Sequence, residues 1–135
     1  MPSSPSDILR RAVTIAVVGA SRDPSKPGAS VPRTMQRYGF RIIPVNPSVD
    51  RLFGERVYHS LAEITEPVDI VNVFRPAAEA PALANQAVAL HARALWLQTG
   101  IRSAEAHRIA EAGGLDFVED HCIAVERAKI ALDRR

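Results

Sequence analysis

The chain has a single cysteine, so no disulfide can form within it, and the small secreted folds that disulfides staple together are excluded. A reducing, cytoplasmic setting is expected. Long apolar runs are missing as well: none approaches the roughly 20 residues that a membrane helix needs. The N-terminal MPSSPSDILRRA also lacks the apolar centre of a secretory signal. Internal repeats and low-complexity tracts are absent. Beyond a Ser/Pro-rich start whose residues 1–6 are expected to fray, no linker interrupts the sequence. A chain of 135 residues therefore reads as one domain, 1–135, with one core and no room for a second catalytic unit.

A large excess of one charge is lacking too. The net charge is +2, which gives no reason to expect a nucleic-acid partner. The distribution is uneven, however: residues 1–60 carry 9 Lys/Arg against 4 Asp/Glu, and residues 61–135 carry 8 against 11. An ordinary solvated surface explains this, and so does an anionic ligand held by the first half.

Five short segments rich in Val, Ile, Leu and Phe are present, at 13–18 (VTIAVV), 41–45 (RIIPV), 68–74 (VDIVNVF), 94–98 (ALWLQ) and 115–119 (LDFVE). Near-continuous hydrophobicity, rather than alternation, is the mark of strands covered on both faces. Helical patterns separate them. Ser30 to Tyr38 reads as a helix capped by Ser30, with Pro32 in its first turn and Gly39 as its stop. Ala77 to His91 places Leu83, Ala87 and Leu90 on one face, and Ser103 to Ala112 has a capping serine, Glu105 in the first turn and Gly113-Gly114 at its end. A last helix is expected over Ile123 to Leu132 and a short one over SDILRRA.

Strand–helix alternation predicts an α/β fold: a Rossmann-like, doubly wound, parallel five-stranded sheet with helices on both faces, and strand order 3-2-1-4-5 counted along the chain. Pro44 has no N–H for a sheet ladder, so the second strand either ends near Ile43 or has its free edge at that position.

Ligands of such sheets lie beyond the carboxyl ends of the strands. The first strand runs into GASRDPSKPGAS, in which Arg22 and Lys26 precede a helix start that favours an anion. Read alone, the loop is either a phosphate cradle or a solvated connection. Two nucleotide signatures are missing. The dinucleotide pattern G-x-G-x-x-G fails after Gly19, and Asn46 stands where an acid would hold an NAD ribose; G-x-x-x-x-G-K-[ST] is absent. The histidines 59, 91, 107 and 121 show no metal-ligand spacing, so no metal site is expected, and no catalytic triad can be picked out. Cys122, next to a helix start, is either a buried, inert thiol or an activated one.

The co-occurrence of VVGASRDPSKPGASV, YGFRIIPVNP, LFGERVYHSLAEITEPVDIVNVFRP, LWLQTGIRS and DHCIAVERAKI resembles the CoA-binding domain family, the small stand-alone proteins similar to the N-terminal domain of the succinyl-CoA synthetase alpha subunit. The chain departs from that pattern at His121-Cys122 and Glu126-Arg127. The resemblance implies a site for coenzyme A at the strand ends. Gly19, Ala20, Ser21 and Lys26, with Arg22 in the same loop, would face the diphosphate, and Ser30 and Val31 would open the helix beyond. Val45, Asn46 and Pro47 would contact the nucleotide, Phe74, Arg75 and Pro76 would flank the adenine end, and Gln98, Thr99 and Gly100 would run along the pantetheine arm.

The synthetase's phosphorylated histidine belongs to a further domain, so ligation is not expected of this chain alone. The expected function is non-catalytic binding of CoA or an acyl-CoA, as a sensor or as the partner of another enzyme or of a second copy. The competing readings are an NAD(P)-linked oxidoreductase on the same scaffold and an interaction module with a vestigial pocket.

Overall fold

A computed structural model of the chain describes residues 3–131. Its strands are β1 (Thr14–Val18), β2 (Arg41–Val45), a short antiparallel hairpin of β3 (Arg51–Leu52) and β4 (Glu55–Arg56), then β5 (Ile70–Val73), β6 (Ala94–Leu97) and β7 (Asp116–Val118). The helices are α1 (Pro5–Arg11), α2 (Pro27–Arg37), α3 (Ala80–Ala89), α4 (Ala104–Ala112) and α5 (Ile123–Ala131). All five sheet-forming segments named from the sequence are strands, and the sheet they make is parallel throughout. No helix among the described residues is long and apolar enough to cross a membrane.

The strand order corrects the expectation. The sheet runs β2-β1-β5-β6-β7, which is 2-1-3-4-5 for the five long strands and not 3-2-1-4-5. β5 pairs with β1, Ile15 opposite Ile70, and leaves β2 at the edge. Pro44 gives the physical reason. It lies within β2, opposite Val17, and its carbonyl points outward to accept the Tyr58 N–H at 3.0 Å, so its missing N–H falls on the free edge. In the expected order β2 would have been interior and would have needed that donor. Tyr58 clips the edge from both sides of Val45, since Asn46 N–H also donates to the Tyr58 carbonyl at 3.0 Å.

Successive residues of the buried strands serve two cores. Ala16, Val18, Ile43, Val71, Val73, Leu95 and Leu97 face α3 and α4, while Ile15, Val17, Ile42, Ile70 and Trp96 face α1, α2 and α5. The first core is built on small side chains, Ala80, Ala84 and Ala87 of α3 and Ala106 and Ala110 of α4, which let these helices approach closely. Leu83 and Leu90 stand at its margin, so the buried face of α3 is turned from the one expected, and a 3₁₀ turn at Ala77–Glu79 precedes the helix.

α4 starts as expected, with the Ser103 hydroxyl accepting the Ala106 N–H at 3.0 Å. α5 begins at Ile123 as read, and Leu132, its expected end, lies outside the described residues. α1 begins at Pro5 behind a capping box between Ser4 and Asp7.

α2 starts earlier than expected. Pro27 occupies the first helical position, where a missing N–H is harmless, and Ser30 lies inside the helix instead of capping it. Pro32 is therefore also interior and cannot donate to the Gly28 carbonyl four residues back. That carbonyl accepts the Ser21 N–H instead, at 3.1 Å. The proline that weakens the helix thus frees the acceptor that ties down the loop before it.

Candidate functional site

From β1 the chain crosses to β2 on one side and, after β2, returns to β5 on the other. The loops leaving the carboxyl ends of β1 and β5 therefore diverge, and a crevice opens between them. A cleft of about 930 Å³ occupies this place, within the range of small-molecule and cofactor sites. Of the sixteen candidate residues, all but Arg22, Pro76 and Gly100 line it. Arg22 is exposed. Gly100 is turned away, its N–H donated to the Asp120 carboxylate at 2.6 Å.

The loop from Gly19 to Gly28 is closed on itself. Gly19 has φ +91°, a conformation that favours glycine, and a Cβ there would also meet the Arg75 stem and the Phe74 Cβ, each at 3.2 Å. Gly28 is required for another reason: a Cβ on it would lie 2.5 Å from the Gly19 carbonyl oxygen. Helix and strand end thus meet backbone to backbone. Within the loop the Ser21 hydroxyl accepts the Asp23 N–H at 3.0 Å, and Asp23 accepts the Ser25 N–H and hydroxyl at 3.0 and 2.8 Å. Those Ser25 bonds, the hydroxyl's first, hold the exposed Asp23 carboxyl below its ordinary value. The Ser21 hydroxyl proton has no acceptor among the described residues.

Asn46 braces this loop. Its amide N–H donates to the Ala20 carbonyl at 2.8 Å and its amide oxygen accepts the Ser48 N–H at 2.7 Å. Gln98 does the same on the far wall: its buried side-chain oxygen accepts from the Asn72 amide at 3.1 Å and from the Ile123 N–H, at the start of α5, at 2.9 Å. Asn46 and the Gln98 oxygen thus shape the cleft, while the Gln98 amide nitrogen has no hydrogen-bond partner among the described residues.

The charges in the wall are sparse. Arg75 is held by Glu79 in a two-point ion pair of 3.1 and 2.8 Å, and that pairing keeps the Glu79 carboxyl below its ordinary value. Among the described residues no carboxylate forms an ion pair with Lys26, the N-cap of α2. Lys26 and the start of α2 are the part of the cleft best placed to receive an anion. Away from them the wall becomes apolar or neutral, with Leu61, Leu83, Ile101 and Thr99.

Sequence reasoning missed several wall residues. Glu79, four residues after Arg75, was visible as an ion-pair spacing. His59, which bonds Asp50 at 3.0 Å, reaches the cleft only because Tyr58 is clipped to β2, and no local pattern announces that. Cys122 lines the cleft where α5 begins and is neither fully buried nor fully exposed.

A doubly wound sheet with a closed glycine loop at its point of strand reversal defines a nucleotide-binding type of α/β domain. Within that class, residues 13–128 match the family model described as "CoA binding domain", and the chain belongs to that family. It is 39% identical over 122 residues to the uncharacterized protein YneT of Bacillus subtilis (strain 168), covering 90% of each chain. The solved structure of cell-free ID.343 from Thermus thermophilus superposes with a TM-score of 0.89 at 38% identity, over 95% of this chain and 99% of that one. Similarity extends to acetate–CoA ligase [ADP-forming] II of Archaeoglobus fulgidus, 36% identical over 70 residues; the match takes in 50% of this chain and 10% of the ligase.

Proposed function

We propose that the protein binds coenzyme A or an acyl-CoA in this cleft, without itself transforming it, and serves as a sensor or as the partner of another enzyme. One observation carries the reading: the turns after β1, β2, β5 and β6, far apart in sequence, converge on one cleft with a cation and a helix start at one end and neutral or apolar walls at the other. CoA has that asymmetry. Its diphosphate suits Lys26 and the α2 N-terminus, and its uncharged pantetheine arm suits Thr99, Leu83 and Ile101. Membership of the CoA-binding family and likeness to part of a CoA ligase support the same ligand.

The oxidoreductase reading finds less support. After β2, where a dinucleotide site presents an acid to the ribose, stands Asn46, with its amide engaged by Ala20 and Ser48.

Thermal unfolding with CoA, acetyl-CoA, NAD, NADP and ATP in parallel tests the proposal. At a hundred times its dissociation constant a ligand adds about 2.7 kcal/mol, a rise of several degrees for a domain of this length. CoA or acetyl-CoA is expected to raise the midpoint. A rise with NAD and none with CoA ends the proposal, and indifference to all five leaves the interaction module as the better reading. Lys26→Ala should weaken CoA more than pantetheine, and equal losses would remove Lys26 from the phosphate end.

A further inference from the structure

We infer that Gln98 reads a thioester carbonyl, which makes the ligand of the cleft an acyl-CoA in preference to free CoA. The inference rests on the proposed reading of the cleft and narrows it. Gln98 follows β6, is 5% exposed, and lines the cleft. Its amide can point only one way. The Asn72 amide nitrogen donates to the Trp96 carbonyl at 3.4 Å, and the same nitrogen faces Gln98 at 3.1 Å. The backbone N–H of Ile123 meets that Gln98 atom at 2.9 Å. Two donors converge on it, so it is the oxygen Oε1, and the nitrogen Nε2 is turned away from both.

None of the described residues accepts a hydrogen bond from Nε2. Nor is Nε2 sealed in: among the described residues, the side-chain polar atom that is both sealed and without a partner is Nη1 of Arg127. Nε2 therefore reaches solvent, and the space that Gln98 lines is the cleft. A bound ligand that displaces water from so enclosed a donor must supply an acceptor or leave it stranded.

The donor selects its acceptor. A thiol accepts weakly, so free CoA satisfies Nε2 poorly. An amide of the pantetheine arm brings a carbonyl, but also an N–H that needs an acceptor, and Oε1 already has two donors. A thioester brings the carbonyl without an N–H, beside a sulfur. The adjoining wall suits it: Cys122 stands immediately before the Ile123 N–H that Gln98 holds, and the Ile101 N–H donates to the Gln98 backbone carbonyl at 2.9 Å. Their side chains are weakly polar and apolar. Position agrees as well. β5 separates β6 from β1, so Gln98 stands across the sheet from Lys26 and the start of α2, and in CoA the thiol is the end of the arm farthest from the diphosphate.

Isothermal titration of the full chain with acetyl-CoA, S-ethyl-CoA and CoA tests the inference. S-ethyl-CoA has a methylene where acetyl-CoA has its carbonyl. Acetyl-CoA is expected to bind about tenfold more tightly than S-ethyl-CoA, and the infrared carbonyl stretch of isotope-labelled acetyl-CoA is expected to fall on binding. Gln98→Glu, ionised by the same two donors, keeps an oxygen for Asn72 and Ile123 and puts an acceptor where the donor stood. Its preference for acetyl-CoA over S-ethyl-CoA should vanish or reverse, a ratio from which any general loss of affinity cancels. If that variant does not fold, the wild-type ratio and the carbonyl stretch decide.

Equal affinity of the wild type for acetyl-CoA and S-ethyl-CoA, with CoA still bound, overturns the inference and leaves the cleft reading standing. So does a wild-type preference that survives in Gln98→Glu, which puts another group on the thioester. Failure of all three compounds to bind overturns the cleft reading and the inference with it.

Discussion

Gly28→Ala tests the cleft's architecture because two effects of opposite sign compete at one atom. In an unobstructed helix start, the added methyl would stabilise by about 0.5–1 kcal/mol, through better helix propensity and a less flexible unfolded chain. Here the new Cβ would lie 2.5 Å from the Gly19 carbonyl oxygen, about 1 Å closer than even a short C–H···O contact. Neither partner is a side chain that can swing away. Gly19 is fixed at φ +91° under Phe74 and Arg75, and Gly28 is fixed by the bond from Ser21 N–H to its carbonyl.

Forced overpacking of this kind costs about 1–3 kcal/mol, so the net loss should lie between about zero and about 2.5 kcal/mol. At about 3–4 °C per kcal/mol for a domain of this length, the melting temperature falls by up to about 10 °C. The start of α2 must also move away from the β1 turn, so CoA affinity should drop several-fold. Calorimetric unfolding and isothermal titration with CoA measure the two effects separately. Gly39→Ala is the control: no atom lies within 4 Å of its added Cβ, but φ is +101°, so it should lose stability through backbone strain while CoA affinity stays as it was. A Gly28→Ala protein that melts at or above the wild-type temperature and binds CoA normally would refute the backbone-to-backbone contact and the loop geometry built on it.

Three further outcomes are expected. Glu79→Gln releases Arg75 and removes a negative charge from the cleft wall; a single exposed charge interaction is worth on the order of 0.5 kcal/mol, so CoA should bind about two- to threefold more tightly at low salt, with the gain vanishing at high salt. Gln98→Leu strands the Asn72 amide and the Ile123 N–H in a buried site and should cost about 2 kcal/mol or more, read from the fluorescence of Trp96, which is fully buried and outside the cleft. The Gly100 N–H, and after it Arg102, hold the Asp120 carboxyl below its ordinary 3.8, so its stabilisation is complete above about pH 4 and is lost as pH falls through the lowered folded value; the stability difference between wild type and Asp120→Asn should be constant at neutral pH and shrink in acid.

The same residues show where a sequence can be read and where it cannot. Strand positions were legible because segments such as VDIVNVF are apolar on both faces, a pattern that only a doubly covered strand satisfies. Strand order was not, since alternation of strand and helix is identical for 3-2-1-4-5 and 2-1-3-4-5. One residue did carry the information: Pro44, unable to donate, fits only the edge, and an edge β2 forces the third strand to the other side of β1. Ser30 misled for a comparable reason. A serine before a proline resembles a helix start, but Pro27 had already begun α2, and the bond that Pro32 fails to make is used by Ser21.

For the cleft, the residues gathered at the strand ends were legible, and the hydrogen bonds that fix them were not. Asn46 and Gln98 line the cleft as read, and the Asn46 amide and the Gln98 oxygen also hold Ala20, Ser48, Asn72 and Ile123, which leaves the Gln98 amide nitrogen without a partner among the described residues. A position at a strand end is visible in the sequence, whereas the direction of its hydrogen bonds depends, apart from the local Asn46–Ser48 bond, on partners 25 or 26 residues away. Several cleft residues thus position others, and on the proposed reading ligand contact falls to the groups left with unspent capacity: the Ser21 hydroxyl proton, the Gln98 amide nitrogen, the Lys26 ammonium and the start of α2. Lys26→Ala and Asn46→Ala should then separate cleanly, the first weakening CoA with no change in melting temperature, the second lowering both stability and affinity, because the Ala20 carbonyl and the Ser48 N–H lose their partner.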